Sequence, residues 1–516
     1  MSADGNGRPP ATGTAVAGLD RALLGIATVV VLGTIMSILD TTIVNIAINH
    51  LSEDFNAPLP TIQWVATGYL LALATVIPLT GWAADRFGTK RLYMTSLVLF
   101  LAGSALSGAA WSAHSLIAFR VLQGLGGGMI MPAGMTILTQ AAGPQRVGRI
   151  MSVVGAPMLL GPILGPVLGG WLVDDVSWRW IFYVNIPIGV VALTLAYRIL
   201  KPDQPRPHHK LDLLGLLLLS PGLAALVYGL AETGSHGGFD GPKQILPTLA
   251  GIVLIVGFVW HALRADDPLI DVRLFKRKTP AVSGLTMALF AAAFFGAMLL
   301  LPLYYQVARG QSALHAGLLM IPQGVGAAIM MPFAGRVVDR TGAARVVLPG
   351  LVLTLAGFGF FTQVAADTPY LELMAASFIA GLGIGATMMP TMAAAYQTLS
   401  HAEVSRATTA LNIVNRGFGA LGVALMSVIL AGQLADRLPG AANAGQGLQT
   451  AQSIPPAARA ALAPRVADAF GQTYWWAFAL IALAAIPALF LPRAKPAMAQ
   501  PVEERGEETV AVAIEV

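Results

Sequence analysis

The chain has 516 residues, of which 56% are hydrophobic and only 11% charged, against about 25% charged in soluble domains. It contains no cysteine, which excludes disulfides, thiolate metal sites and cysteine nucleophiles. The net charge of +5 suggests a nucleic-acid partner only until the cations are located along the chain. Apolar runs of about 20 residues recur from end to end, the length that crosses a bilayer as a helix. These features predict an all-α polytopic membrane protein.

Residues 1–20 are polar and rich in Gly, Ala and Pro, which predicts a disordered cytoplasmic N-terminus. The apolar run after Arg21 is too long for a signal-peptide core. Apolar segments then fall at 22–48, 61–82, 91–111, 115–140, 147–172, 179–200, 211–231, 244–264, 280–305, 312–334, 344–365, 369–396, 404–431 and 474–492. Fourteen transmembrane helices are therefore expected. The inner loop 265–279 is charged and reads as solvated. The outer segment 432–473 reads as a mobile loop, or as a short surface helix over Pro456–Phe470. The tail 493–516 reads as disordered and cytoplasmic.

With the N-terminus cytoplasmic, 23 of the 31 Lys and Arg lie on the inner side and 6 on the outer. The positive-inside rule then gives an even helix number and both termini in the cytoplasm. It also explains the net charge as an insertion signal, so no nucleic-acid partner is expected. Pro78, Gly81, Asp85, Arg86, Gly88 and Arg91 recur 254 residues later as Pro332, Gly335, Asp339, Arg340, Gly342 and Arg345. Gly124, Gly126 and Gly128 recur as Gly381, Gly383 and Gly385. Two parallel six-helix repeats follow, at 21–200 and 280–492, with an inserted helix pair in 201–279.

Asp40 lies in the first apolar segment with Asn45 and Asn49. A carboxylate at mid-membrane costs about 2.5–3.5 kcal/mol on insertion scales, so it is expected to face inward and to function. Arg120, the intramembrane cation of the fourth segment, falls at a similar depth in the outer half by helical rise, which allows a pairing with Asp40. In the inner loop, Gly81 permits close helix approach, Gly88 a tight turn, and Asp85 a bond to a helix N-terminus or to an Arg across the bundle interface. With Arg86, Lys90, Arg91, Asp339 and Arg340 it predicts a conformational latch. The fifth segment sets Gly161, Gly165 and Gly169 four residues apart, giving one flat packing face. Its Pro162 and Pro166 each remove a backbone donor.

The loop Gly81–Leu92 resembles the signature between helices two and three of the major facilitator superfamily, with Ala83 and Thr89 where Leu and Arg are usual. Leu116-x3-Arg120-x2-Gln123-Gly124-x-Gly126 is similar to the helix-four motif that the superfamily associates with proton transfer. Gly155, Gly161, Pro162, Gly165, Pro166, Gly169 and Gly170 resemble the motif of its antiporter branch. Around Asp40, from Trp178 to Gly189, and at Asn412-x2-Asn415-Arg416, the chain is similar to the fourteen-helix drug:proton antiporters of QacA/EmrB type. This resemblance spans nearly the whole chain except its ends and 432–473.

The resemblance implies the major facilitator fold and proton-coupled export of hydrophobic or amphipathic, often cationic, drugs across the plasma (inner) membrane. Asp40 would carry the proton beside Arg120. Asn45, Gln123, Phe294, Met298, Tyr304, Asn412, Asn415 and Arg416 are the candidate cavity residues. A periplasmic adaptor and outer-membrane channel are partners only for a Gram-negative host. An exporter dedicated to one antibiotic or siderophore is the alternative, and a membrane enzyme or sensor a remote one. No P-loop occurs, and His50, His208 and His209 lack ligand spacing. No cofactor or metal is expected, and the proton gradient is the driving force.

Overall fold

A computed structural model describes residues 20–493 apart from 45–46, 144–145, 203–209, 237, 239–240, 401–402, 440–446, 448–449 and 452–455. Asn45 and nearly all of the tails predicted as disordered lie outside these residues. The described residues form helices joined by turns and loops, with no strand among them. The first half contains α1 (Arg21–Ile43), α2 (Ile48–Asp54), α3 (Leu59–Val76), α4 (Leu79–Phe87), α5 (Thr89–Gly108), α6 (Ala113–Ala142), α7 (Val147–Asp175), α8 (Trp180–Tyr183) and α9 (Asn185–Ile199). The inserted hairpin is α10 (Leu213–His236) and α11 (Pro242–Ala262). The second half contains α12 (Lys278–Leu303), α13 (Ala313–Thr341), α14 (Ala344–Phe361), α15 (Tyr370–Tyr396), α16 (Val404–Arg437) and α17 (Pro456–Ala488).

Each of the fourteen predicted segments falls on a helix. Twelve of these are individually long and apolar enough to cross a membrane, and a thirteenth span is formed by α3 and α4 together, bent by 56°. Pro78 sits at that bend, where its missing N–H and its ring interrupt the helix. The remaining segment, 147–172, lies within the 29 residues of α7.

Local chemistry sets several helix ends. Asp20 caps α1, accepting from the Leu23 N–H at 2.7 Å. That bond holds the Asp20 carboxyl below the ordinary carboxylate range against the opposing effect of burial, with a further contribution from Arg146 at 3.3 Å. Ser112 and Ser115 cap α6 reciprocally. Gly88 and Gly342, the repeated glycines of the two inner loops, have φ of +89° and +90°, left-handed conformations that favour glycine. The repeat thus fixes two equivalent turns.

The two halves pack against each other mainly through α7 on α13 and α15 and through α4 and α6 on α16. The inserted α10 lies against α3 of the first half and α16 of the second. Trp64 of α3 stacks on Tyr228 of α10 at 5.9 Å, and the Ser427 hydroxyl of α16 donates to the Gly234 carbonyl at 2.5 Å. The hairpin therefore touches both sides of the seam between the halves.

Three sequence expectations are corrected. Helix α1 ends at Ile43 rather than near Asn49, which instead lies in the short α2; Thr41 and Thr42 bond back to the Ile38 and Leu39 carbonyls in its last turn. The loop 265–279 is not simply solvated, because Leu269, Ile270 and Leu274 are buried and Asp267 pairs with Arg406 at 2.8 Å. Within 432–473, α16 runs on to Arg437 and α17 begins at Pro456, joined by the Arg437–Asp468 pair at 2.7 Å. Val466, Ala467 and Phe470 are buried there, so this part of the helix packs rather than floats.

Candidate functional site

Asp40 projects from α1 into a buried polar cluster in the first half. Its Oδ2 accepts from Arg120 Nη1 at 2.5 Å, and its Oδ1 accepts from Gln123 Nε2 at 2.8 Å and Asn185 Nδ2 at 3.2 Å. Arg120 and Gln123 are three residues apart on α6, so they share one face, and Arg120 Nη1 also donates to Gln123 Oε1 at 2.8 Å. Arg120 Nε donates to the Val65 carbonyl at 3.2 Å, and its guanidinium lies over the Tyr69 ring at 4.1 Å. Asn185, the first residue of α9, donates onward to Ser104 Oγ at 3.1 Å. Asp40 and Arg120 are each 1% exposed.

An isolated ionised Asp or Arg here would be strongly disfavoured. Together they form a neutral, hydrogen-bonded pair that loses its balance when Asp40 gains a proton. Asn185 Oδ1 is buried with no bonding partner among the described residues. Rotating that amide would offer an acceptor to a protonated Asp40. Asn185 and Tyr69 carry no charge that hydropathy reading would flag; Asn185 lies in the Trp178–Gly189 stretch, but packing against Asp40 and Arg120 is what gives both a place in the site.

The inner loops form two equivalent contacts across the halves. Asp339 Oδ1 accepts from the Gly148 N–H at 2.9 Å and Oδ2 from the Arg149 N–H at 3.1 Å, with Arg149 Nε at 3.6 Å. A carboxylate thus sits on the N-terminus of α7, where the helix dipole favours it. Asp85 lies 3.5 Å from Arg406 Nε near the N-terminus of α16, and Ser405 Oγ donates to the Gly81 carbonyl at 3.2 Å. Arg149 and Arg406 are 257 residues apart, as are Gly124 and Gly381. That relation was readable in the sequence, but two arginines attract no notice until their carboxylates are beside them.

Lys90 bonds within its own half. It donates to the Tyr197 and Leu200 carbonyls at 2.9 and 2.5 Å, at the end of α9. Arg91 and Arg86 lie in the same turn as Gly88, and Arg340 in the last turn of α13.

On α7, Gly161 faces Ile38 and Gly165 faces Thr42 of α1, the turns flanking Asp40. Gly155 faces Met389 and Met331 of the second half. Gly169 and Gly170 lie in the last two turns, a Cβ on Gly170 meeting nothing within 4 Å, and positions 162 and 166 lie within the same helix. Gly165→Val is expected to clash with Thr42, pry α1 from α7 and destabilise by about 1–3 kcal/mol. A lowered thermal midpoint of the purified protein checks this, whereas an unchanged midpoint contradicts it.

The other cavity candidates do not converge. Phe294 and Met298 line a small recess of about 20 Å³ with Met320 and Gln323. Tyr304 OH donates to the Ala365 carbonyl at 2.7 Å and packs on Phe470. Asn412 Nδ2 donates to the Thr408 carbonyl at 2.9 Å, and Asn415 is buried one turn on. Arg416 alone among them lines a cavity of about 560 Å³ between α3, α10, α12 and α16.

The Major Facilitator Superfamily model matches this chain over residues 30–423, and again over 325–515. A "Multidrug resistance protein B homolog" of Mycobacterium tuberculosis (strain ATCC 25618 / H37Rv) is 42% identical over 491 residues, 92% of this chain and 91% of the relative. The "Multidrug export protein EmrB" of Haemophilus influenzae is 29% identical over 398 residues, 76% of this chain and 78% of the relative. The solved structure of the proton:xylose symporter XylE matches with a TM-score of 0.57 at 14% identity, over 90% of this chain and 94% of that one.

Proposed function

The chain belongs to the Major Facilitator Superfamily, and from that premise we propose that it is a multi-pass plasma-membrane antiporter exporting hydrophobic or amphipathic drugs against protons. The observation that carries this reading is the neutral Asp40–Arg120 pair held by Gln123 and Asn185, an acid whose protonation changes the charge of a buried site. Relatives named for multidrug resistance and export support the substrate class.

In the proposed cycle, both termini are cytoplasmic and the present structure, closed by Asp85–Arg406 and Asp339–Arg149 at the inner face, is an outward-facing state. Asp40 takes a proton from outside, its bond to Arg120 weakens, and substrate leaves. The bundles, 21–200 and 280–492, then rock about the site. Asp40 releases its proton inward as the next substrate enters from the cytoplasm or inner leaflet. A protonated carboxyl is far less costly than a carboxylate in an apolar site, which links occupancy to protonation. No cofactor or covalent chemistry enters this cycle, so the protein is not read as an enzyme. In a host with an outer membrane, a periplasmic adaptor and outer-membrane channel would complete the path.

Purified protein reconstituted into vesicles is expected to export a hydrophobic dye when a pH gradient is imposed. Dye movement that ignores the gradient, or none with any dye, would overturn the reading.

A further inference from the structure

The cavity between α3, α10, α12 and α16 is lined almost wholly by apolar side chains, among them Leu73, Leu223, Val227, Phe295 and Leu299. Its one charged lining residue is Arg416. This arginine is the thirteenth residue of α16, roughly 18 Å from the inner end at 1.5 Å per residue and hence deep in the membrane. Its side chain is half-buried, and among the described residues no carboxylate, carbonyl or hydroxyl bonds it. Arg120, the other arginine deep in a span, faces a carboxylate instead, as do Arg149 and Arg406 at the inner face. The one other polar lining side chain, Ser427, already donates to Gly234. A Cβ on the adjacent Gly417 would meet nothing within 4 Å, so the space continues beside the guanidinium.

A cation kept in an apolar chamber without a counter-ion is poised for an anion that brings its own apolar body. We propose that this cavity binds an anionic amphipath, its carboxylate, sulfonate or phosphate on Arg416 and its chain or ring system against α3, α10 and α12. The volume of about 560 Å³ falls within the roughly 300–1,000 Å³ of pockets that hold drug-sized ligands. One wall belongs to the inserted α10, so the site depends on the hairpin as well as on the two repeats. A cation would be repelled here. The proposal names a ligand class for one cavity of the exporter read above, but occupancy itself does not require that Asp40 couple to a gradient.

The test is equilibrium binding of a dansyl-labelled medium-chain fatty acid and of its uncharged methyl ester to the full chain in phosphatidylcholine nanodiscs, corrected for empty discs. The intact protein is expected to bind the acid at least about tenfold more tightly than the ester. Arg416→Gln should bring that ratio close to one while leaving ester binding intact, and Arg416→Lys should keep part of the preference. Val423→Trp, which fills the chamber and leaves Arg416 in place, should weaken both probes. Binding is read at equilibrium with no pH gradient, which separates this site from the coupling mechanism. Phosphatidylglycerol in the discs weakens acid binding by the intact protein if an acidic lipid is the natural occupant, and leaves it unchanged if a free amphipathic acid is. Equal binding of acid and ester by the intact protein, or an undiminished preference in Arg416→Gln, would overturn the proposal.

Discussion

Replacing Asp40 by Asn is expected to reduce pH-gradient-driven efflux to the level of protein-free vesicles. The substitution preserves shape and leaves an acceptor for Gln123 and Asn185, but it removes the one carboxylate of the described cluster, the group proposed to carry the proton. It also strands Arg120, which is 1% exposed. Breaking a buried pair from one side costs about 3–5 kcal/mol, because a buried charge is left uncompensated. The single variant should therefore melt at a lower temperature as well as fail to couple. Asp40→Asn with Arg120→Gln removes both charges, and replacing a buried pair outright is often close to neutral. That double variant should recover most of the thermal stability and none of the coupling. Separating the two readouts distinguishes a proton carrier from a structural ion pair. Full gradient-dependent efflux by Asp40→Asn would sink the mechanism.

The second large effect is expected at the inner face. Asp339 accepts two backbone N–H groups at the start of α7 and faces Arg149, while Asp85 faces Arg406. These contacts exist only while the two halves meet at that end, so they bias the conformational equilibrium. A hydrogen bond to a charged group contributes about 1.5–3 kcal/mol, and one such loss shifts a two-state population roughly ten- to hundredfold. Asp85 and Asp339 have different partners across the seam, so Asp85→Asn and Asp339→Asn should act nearly additively. The chain has no native cysteine, so a single Met389→Cys gives a background-free reporter. Met389 is buried beside Gly155 of the opposite half. Labelling of that cysteine by a membrane-impermeant maleimide from the inner side should rise at least about tenfold in the double Asn variant. Unchanged labelling would show that these carboxylates do not hold the halves together.

The two effects bear on one cycle from opposite ends. Gly161 and Gly165 bring α7 against α1 beside Asp40, and the N-terminus of the same helix sits on Asp339. A packed helix touching both places offers a physical connection between protonation and the latch. The Gly165→Val variant examines its upper half.

Much of this was legible in the sequence because a bilayer leaves few solutions. Backbone groups in hydrocarbon must bond within their own segment, so each apolar run had to be a helix. Asp40 and Arg120 were conspicuous because charge there is costly, and helical rise placed them at one depth before any contact was known. The repeated Asp85 and Asp339 loops exposed the internal repeat and the glycine turns that the backbone adopts. Tertiary structure decided everything that depended on which faces meet. Asn185 and Tyr69 entered the Asp40 cluster only when α9 and α3 closed around it, since neutral residues leave no mark on hydropathy. Lys90 turned to its own half because the carbonyl ends of α9 lay within reach. Arg416 parted from the other cavity candidates because α10, an element outside the repeats, encloses the chamber around it. Periodicity and charge are local and additive along a chain, so sequence reveals them, whereas a buried contact belongs to two distant segments and exists only once they pack.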